Sequence, residues 1–386
     1  MMRRKRFIAG VAAAAMLAGR RSARAQFAPF ARQLTLAVSV PLSGSLADYG
    51  NQILAGVRGA IDETNRFSPS PEIVFGMRPF DDRNRPEIAI ANAQIAAADP
   101  TVIALIGGLT LDPTLAILPA CANASLPLII PTITRDDLTA RGYHCVFRLA
   151  TPDAAAGRLA AQRIGLDVRP RATAVVARDR GYGYDYARSY AAQTRADKRR
   201  ADEILLPPGP PDAAGIARTI LAAKNDFVFI AGTSADLGSL LPALHAAGYA
   251  GGIGASDGFY DEETIRTYGP LLADAWIATS MPPLERAAGI ALQLADLRRE
   301  VGTVGTLTVF AYAAAQVAIQ AARRLNATSR MTELRALQES GGFQTLVGTL
   351  SFGFDGNPLD PNLYFYRVEK DRFVYRTAAH PTSFVL

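Results

Sequence analysis

The chain has 386 residues, of which 49% are hydrophobic and 20% charged, with two cysteines and a formal net charge of +6. That length accommodates two domains of ordinary size, and the balance of apolar and charged residues excludes a chain dominated by disorder. The positive charge is concentrated at the start: removing the seven cations Arg3, Arg4, Lys5, Arg6, Arg20, Arg21 and Arg24 takes the charge from +6 to −1. A chain without them has no electrostatic case for binding nucleic acid.

In chain order, MMRRKR is a basic beginning, FIAGVAAAAMLAG is an apolar run of 13 residues, and ARA precedes Gln26 as a small-residue cleavage pattern. Together they predict a secretory signal peptide over 1–25, removed near Ala25. A bilayer span needs about 20 apolar residues, so the processed chain is not expected to cross a membrane. The arginine pair Arg3-Arg4 fits a twin-arginine signal only loosely, and that export route and the general secretory one both stay open. Neither Cys121 nor Cys145 occupies a lipid-attachment position. For this pair, one disulfide and two buried thiols are both compatible with the sequence.

Strands are predicted at 34–40, 73–80, 101–108, 126–132 and 145–150, then at 172–178, 202–208, 226–232, 251–257 and 275–281. Helical patterns lie between them at 49–66, 86–98, 112–124, 153–166, 184–199, 213–224, 235–247 and 260–268. Continuous apolar strands alternating with helices mean βαβ units and parallel sheets covered on both faces. Two such series imply two α/β lobes. A long alanine-rich helix at 306–325 carries Leu307, Phe310, Ala314, Val317 and Ala321 on one stripe, as a helix packed on a sheet does. The C-terminal part turns to β character, with a closing strand and a hairpin that turns near Lys370-Asp371.

The first strand–turn–helix, VSVPLSGSLADYGNQILAGVRGA, has glycines that invite a phosphate-binding reading. Gly44 and Gly50 are six apart with no Lys-Ser/Thr pair following, which excludes a P-loop, and no G-x-G-x-x-G occurs. GYGYDY at 181–186 lacks the third glycine of a dinucleotide fingerprint. His144, His245 and His380 are scattered, with no HExxH. No metal, cofactor or catalytic group is therefore expected, and an enzyme is the minor alternative. Asp81-Asp82 reads as loop capping, and the glycosylation triplet Asn326-Ala327-Thr328 is set aside. In open α/β sheets ligands bind beyond the carboxyl ends of the strands. Those positions here hold hydroxyls, tyrosines and single acids with almost no lysine or histidine, a lining for a small polar molecule.

The segments LAVSVPLSGSLADYGNQILAGVRGAIDE, FDD after the second strand, IIPTITRDDLTARGYHCVFRLATPD, VARDRGYGYDYARSY, FVFIAGTSADLGSLLPALHAAGY, GASDGFYDE, TVFAYAAAQVAIQAA and GTLSFGFDGNP occur in this order. With the signal peptide, this series resembles the leucine/isoleucine/valine-binding group of type I periplasmic solute-binding proteins, over nearly the whole mature chain. The resemblance implies an α/β fold of two Rossmann-like lobes with parallel-dominated sheets joined by three crossover segments. The first lobe would take 34–150 plus 283–340 and the second 151–282 plus 341–386, with hinges near 150, 282 and 345. It also implies a periplasmic monomer that closes over a small-molecule ligand, presents it to an ABC permease in the inner membrane, and uses no cofactor. A ligand sensor docking on a membrane receptor would use the same lobes.

Carried over position by position, Tyr49 matches an aromatic at the first helix start. Thr134 matches a residue whose N–H and hydroxyl meet a ligand carboxylate, and Thr132 one whose carbonyl accepts from the amino group. Tyr182 matches a second-lobe tyrosine, and Asp257 the acid that pairs with the ammonium. An acid opposite hydroxyl and helix-terminus donors suits an amino-acid-like ligand. Each position also has a purely structural reading: Tyr49 and Tyr182 as filling between the lobes, Thr134 as cap of a helix at 135–141, Asp257 as cap of the helix near 260. Two positions depart from the pattern. The expected serine donor falls on Leu111, or on Thr110 if the loop shifts by one, and an expected aromatic is Thr233. Losing a hydroxyl donor to a charged acceptor costs about 1.5 to 3 kcal/mol, and Asp112 beside this spot would repel a carboxylate. A branched-chain amino acid, an amide and a related or aromatic acid all stay open as ligands, as does a larger apolar one.

Overall fold

The computed structural model describes residues 31–67, 72–286, 291–301, 304–324, 329–339 and 341–381. The expected signal peptide and the triplet 326–328 lie outside these. The strands are β1 (Arg32–Val40), β2 (Ile73–Asp81), β3 (Val102–Gly107), β4 (Leu128–Ile130), β5 (Val146–Arg148), β6 (Ala172–Arg178), β7 (Arg200–Leu206), β8 (Phe227–Ala231), β9 (Gly252–Ala255), β10 (Trp276–Thr279), β11 (Phe343–Thr345), β12 (Gly348–Leu350), β13 (Leu363–Val368) and β14 (Phe373–Ala379). The helices are α1 (Ala47–Phe67), α2 (Pro86–Ala98), α3 (Leu111–Asn123), α4 (Asp153–Asp167), α5 (Tyr184–Ala196), α6 (Ala213–Ala222), α7 (Ser234–Leu237), α8 (Leu240–Ala246), α9 (Glu262–Tyr268), α10 (Ala291–Val301), α11 (Thr306–Arg324) and α12 (Arg330–Glu339).

The first sheet has the order β2-β1-β3-β4-β5 and is parallel throughout. The second runs β14-β13-β10-β9-β8-β6-β7, parallel from β10 to β7 and antiparallel where β10 meets β13 and β13 meets β14. In each sheet the chain reverses its direction of winding once, between β1 and β3 and between β6 and β8. Such reversals open a crevice at the carboxyl ends of the flanking strands. Leu34 to Val40, all of β3 and all of β8 are buried, as strands with helices on both faces must be.

The first core gathers β1 and α1 around α11, whose buried side chains run from Thr308 to Ala322. Helices α4 and α5 cover one face of the second sheet, and a Cβ at Gly157 would lie 2.3 Å from the Tyr186 carbonyl oxygen, so only glycine lets these two backbones approach so closely. The chain passes from the first sheet to the second between β5 and α4, returns between β10 and α10, and crosses again between β12 and β13. One segment departs from the expected division. Phe343, Leu346, Val347 and Phe352 are buried in the first core against α11, so residues 343–352 extend that lobe and the last crossing falls after Phe352 rather than near 345. The reason is apolar: their side chains fill the flank of α11, which the alanines of that helix leave open.

Some strands are shorter than predicted. Pro127 and Pro131 bracket β4, and a residue without an N–H cannot continue the ladder. The helix predicted over 235–247 breaks into α7 and α8, because Pro242 cannot donate to residue 238. Cys121 and Cys145 are free thiols, both buried in one cluster, and burial pushes the Cys145 thiol up to about 11. No helix among the described residues is long and apolar enough to cross a membrane.

Candidate functional site

On the first lobe the turn after β1 is held by a side chain of the chain itself. Asp81 Oδ1 accepts from Leu42 N at 2.8 Å and from Arg83 N at 2.9 Å, and its Oδ2 accepts from the Ser43 hydroxyl at 2.6 Å. These hydrogen bonds hold its carboxyl below the usual range against the cost of partial burial. Gly44 sits at φ +79°, where other residues are strained, and turns the chain into α1. A carboxylate stationed on this loop repels phosphate. Tyr49, in the first turn of α1, is 46% exposed.

After β3 the chain enters α3 through Thr110, whose hydroxyl donates to Asn84 Oδ1. Its side-chain proton is thus already committed. Leu111 is half-buried and packs against the hydrophobic cluster beneath α2 and α3, and Asp112 is exposed. Of the two alternatives for the missing serine, neither offers a free hydroxyl donor.

The loop after β4 is the hub of the site. Arg148, fully buried at the end of β5, donates to the carbonyls of Thr134 at 2.9 Å and Arg135 at 2.6 Å, and its Nε to Asn357 Oδ1 at 3.0 Å. It ties the Thr132–Arg135 loop to the third crossing segment. Burial lowers its pKa, opposed by Asp136, Asp153 and Asp355. Thr134 is 4% exposed, and its Oγ1 has no hydrogen-bond partner. The turn that follows is a single 3-10 turn, Asp136–Leu138, entered through Arg135 without a side-chain cap, so Thr134 caps nothing. Thr132 is half-buried. Arg135 reaches the other lobe: its Nη1 donates to the carbonyls of Arg180 at 2.9 Å and Gly181 at 3.1 Å, and its Nε lies 3.0 Å from Asp185 Oδ2.

On the second lobe the Tyr182 hydroxyl donates to Asp257 Oδ1 at 2.6 Å. Burial raises the Asp257 carboxyl, offset by the bond from Tyr182 and by the N–H groups of Asp257 and Gly258. Tyr182 is 37% exposed, but loss of water around its hydroxyl, and then Asp257, raise it well above the ordinary 10, so it stays protonated and donating. Asp261, not Asp257, caps the helix that follows, accepting from Thr264 N at 2.6 Å. Asp153, the first residue of α4, is 1% exposed, and its N–H donates to the Thr134 carbonyl at 2.8 Å. Its carboxyl is pushed up to about 8, first by burial and then by Asp257, with Asp136 and Asp185 adding to the rise. The Thr134 hydroxyl pulls the other way, though neither Thr134 Oγ1 nor Asp153 Oδ2 makes a hydrogen bond of good geometry. The Tyr186 hydroxyl is buried nearby, also without a partner, and is likewise raised by burial and by Asp257. Thr233 uses its hydroxyl to cap α7, accepting from Asp236 N at 3.2 Å.

Thr134, Tyr182 and Asp257 thus meet around Asp153, between the carboxyl ends of the two sheets. Thr110 and Thr233 direct their hydroxyls to their own lobes, Leu111 faces a core cluster, and Tyr49 and Thr132 have no side-chain hydrogen bond among those described. Asp153, Tyr186, Arg135 and Asp185 were not singled out by sequence reasoning. Asp153 had one available signal, an acid opening a helix directly after a strand end. The ion pair of Arg135 with Asp185 spans 50 positions and had none. Among the described residues no three His, Cys, Asp or Glu are grouped to hold a metal.

A family model described as periplasmic binding protein matches residues 33–372. The Leu/Ile/Val-binding protein BraC3 of Rhizobium johnstonii is 25% identical over 358 residues, which cover 90% of this chain and 95% of that protein. Among solved structures, the branched-chain amino acid transporter substrate-binding protein LivJ from Streptococcus pneumoniae in complex with isoleucine superposes with a TM-score of 0.77 at 21% identity, covering 90% of this chain and 99% of that one. A solute-binding protein of an ABC transporter from Rhodopseudomonas palustris in complex with 3,4-dihydroxybenzoic acid has a TM-score of 0.77 at 17% identity, covering 90% and 98%. With two wound sheets facing a shared crevice and a family match over most of its length, the chain belongs to the periplasmic binding protein family.

Proposed function

We propose that this protein is the exported, periplasmic solute-binding component of an ABC importer, a monomer that captures a small amino-acid-like ligand between its lobes and delivers it to an inner-membrane permease without transforming it. The observation that carries this reading is the Tyr182–Asp257 hydrogen bond on the second lobe, together with the Thr134 carbonyl of the first lobe bonded to Asp153 N and a Thr134 hydroxyl without a partner. Asp257 takes the ligand ammonium, Thr134 supplies a hydroxyl to its other polar end, the Thr132 carbonyl accepts from the amino group, and Tyr49 lays a ring over the mouth. The relatives named for leucine, isoleucine and valine support a ligand of that size and kind. The side chains of Thr110, Leu111 and Thr233 take no part in this arrangement.

Binding shifts an open–closed equilibrium, and the permease reads the closed form. A thermal-shift screen of amino acids, their amides and aromatic acids tests the reading. A ligand at 100 times its Kd stabilises by about 2.7 kcal/mol, a rise of several degrees. Asp257→Ala is expected to weaken the hit at least ten-fold by calorimetry. If no compound shifts the melt, or if Asp257→Ala binds as well as the parent, the assignment fails.

A further inference from the structure

The three segments that cross between the sheets meet at one buried residue. Thr151, 3% exposed, lies within the first crossing, between β5 and α4. Its N–H donates to the Ser280 hydroxyl at 3.2 Å, and its own hydroxyl donates to the Asn362 carbonyl at 2.7 Å. Ser280 directly follows β10, where the second crossing begins, and Asn362 directly precedes β13, where the third ends. The pairing of Thr279 with Tyr364 brings these two ends side by side, so Thr151 reaches both. Beside Ser280, the Met281 carbonyl accepts from the Tyr366 hydroxyl of β13 at 3.0 Å. The first crossing is also held where it enters α4. The Asp153 N–H donates to the Thr134 carbonyl at 2.8 Å and the Ala154 N–H to Asp136 Oδ2 at 3.0 Å, so first-lobe residues seat the first turn of a second-lobe helix. Pro152 has a fixed φ and keeps Thr151 before it extended. A segment as short as 149–152, bonded in its middle and at its end, has little freedom to bend or slide.

We propose that Thr151 is the pin of the interlobe hinge: its N–H and hydroxyl keep the three crossings from sliding past one another, so that the lobes turn about this point instead of shearing. Bonds close to an axis survive rotation, because displacements there are smallest. Thr151→Val keeps the shape of the side chain but has no proton for the Asn362 carbonyl, which loses this buried donor. One tie between crossings is then gone, and the lobes sample a wider range of separations. This role does not depend on which ligand the crevice takes.

Double electron–electron resonance on the mature chain without ligand tests it, with spin labels at Glu87→Cys on α2 and Arg266→Cys on α9, one on each lobe. Both side chains are exposed, at 60% and 73%, while Cys121 and Cys145 are buried away from the labelling reagent. The distribution of interlobe distances is expected to be broader by about half in Thr151→Val, and as narrow as the parent's in Thr151→Ser, which keeps both bonds. Ser280→Ala removes the acceptor of the Thr151 N–H and is expected to broaden it too. A Thr151→Val distribution as narrow as the parent's overturns the proposal. So does a Thr151→Ser distribution as broad as that of Thr151→Val, since the methyl group and not the hydroxyl would then hold the segments. If Thr151→Val does not fold, Ser280→Ala at its half-buried position decides by the same readout, and an unchanged distribution there overturns the proposal.

Discussion

At the scale of single residues, two buried carboxyls contribute to how the stability of this protein responds to pH. Asp153 is raised from 3.8 to about 8, so the folded chain holds a proton that the unfolded chain releases. Its contribution to stability is complete below about 4 and is lost as pH rises towards 8. Asp257, Asp136 and Asp185 act on it as acids, Thr134 as a hydroxyl, and Arg148 is a cation that feels its charge. Asp153→Asn mimics the protonated form, so its melting temperature without ligand is expected to fall less than that of the parent between pH 5 and pH 8. Equal slopes in the two melting series would remove Asp153 as the source. Glu333 on α12 is fully buried, and both of its carboxylate oxygens are unpartnered. One turn away, Arg330 gives its guanidinium to the carbonyls of Ala97 and Val102. Burial raises the Glu333 carboxyl well above its ordinary value of 4.5, so its cost grows as pH rises beyond that value. Glu333→Leu is expected to stabilise by about 1 to 3 kcal/mol in urea unfolding at pH 8, with a smaller gain at pH 5.

Among elements, the packing of α4 on α5 decides the geometry of the second-lobe face, because Asp153 opens one helix and Tyr182 and Tyr186 flank the start of the other. Gly157→Ala offers a clear contest of effects. Helix propensity favours alanine by about 1 kcal/mol, but the added carbon would sit 2.3 Å from the Tyr186 carbonyl. The clash prevails, so the variant is expected to lose about 2 kcal/mol or more, read from the urea midpoint. A neutral or stabilising change would mean that the helices separate at little cost. The same scale shows what was legible in the sequence. Apolar runs such as ALIG in β3 and FVFIA in β8 announce buried parallel strands, since only a strand covered on both faces can be apolar at consecutive positions. The break between α7 and α8, and the placing of Phe343 to Phe352 on α11, depend on one proline and on long-range packing that no local period encodes. Tyr182 and Asp257, proposed here as ligand contacts, were singled out through the resemblance and lie in the loops after β6 and β9. Asp153 looked like an ordinary first-turn acid, and its N–H meets the Thr134 carbonyl of the other lobe.

For the whole molecule, the bridge from Arg135 to Arg180, Gly181 and Asp185 is a contact between lobes that needs no ligand. Removing it should favour the open arrangement. Arg135→Ala is expected to show a larger radius of gyration in small-angle scattering without ligand, and a ligand affinity several-fold weaker than the parent's. An unchanged radius would mean that the bridge follows closure without stabilising it.

The pairing of β10 with β13 carries a consequence for biogenesis. β13 begins 84 residues after β10 ends, beyond the whole excursion through α10, α11 and α12. Until the final stretch of chain arrives, β10 is an edge strand with an unpaired row of backbone donors and acceptors, a template for pairing with another chain. Neither lobe is made of one continuous piece, so neither can finish folding early during synthesis, and contacts this distant in sequence form slowly. Under the export proposed above, by the general secretory route, that delay would keep the chain unfolded for longer. It also makes loss of the last two strands far more damaging than their modest length implies.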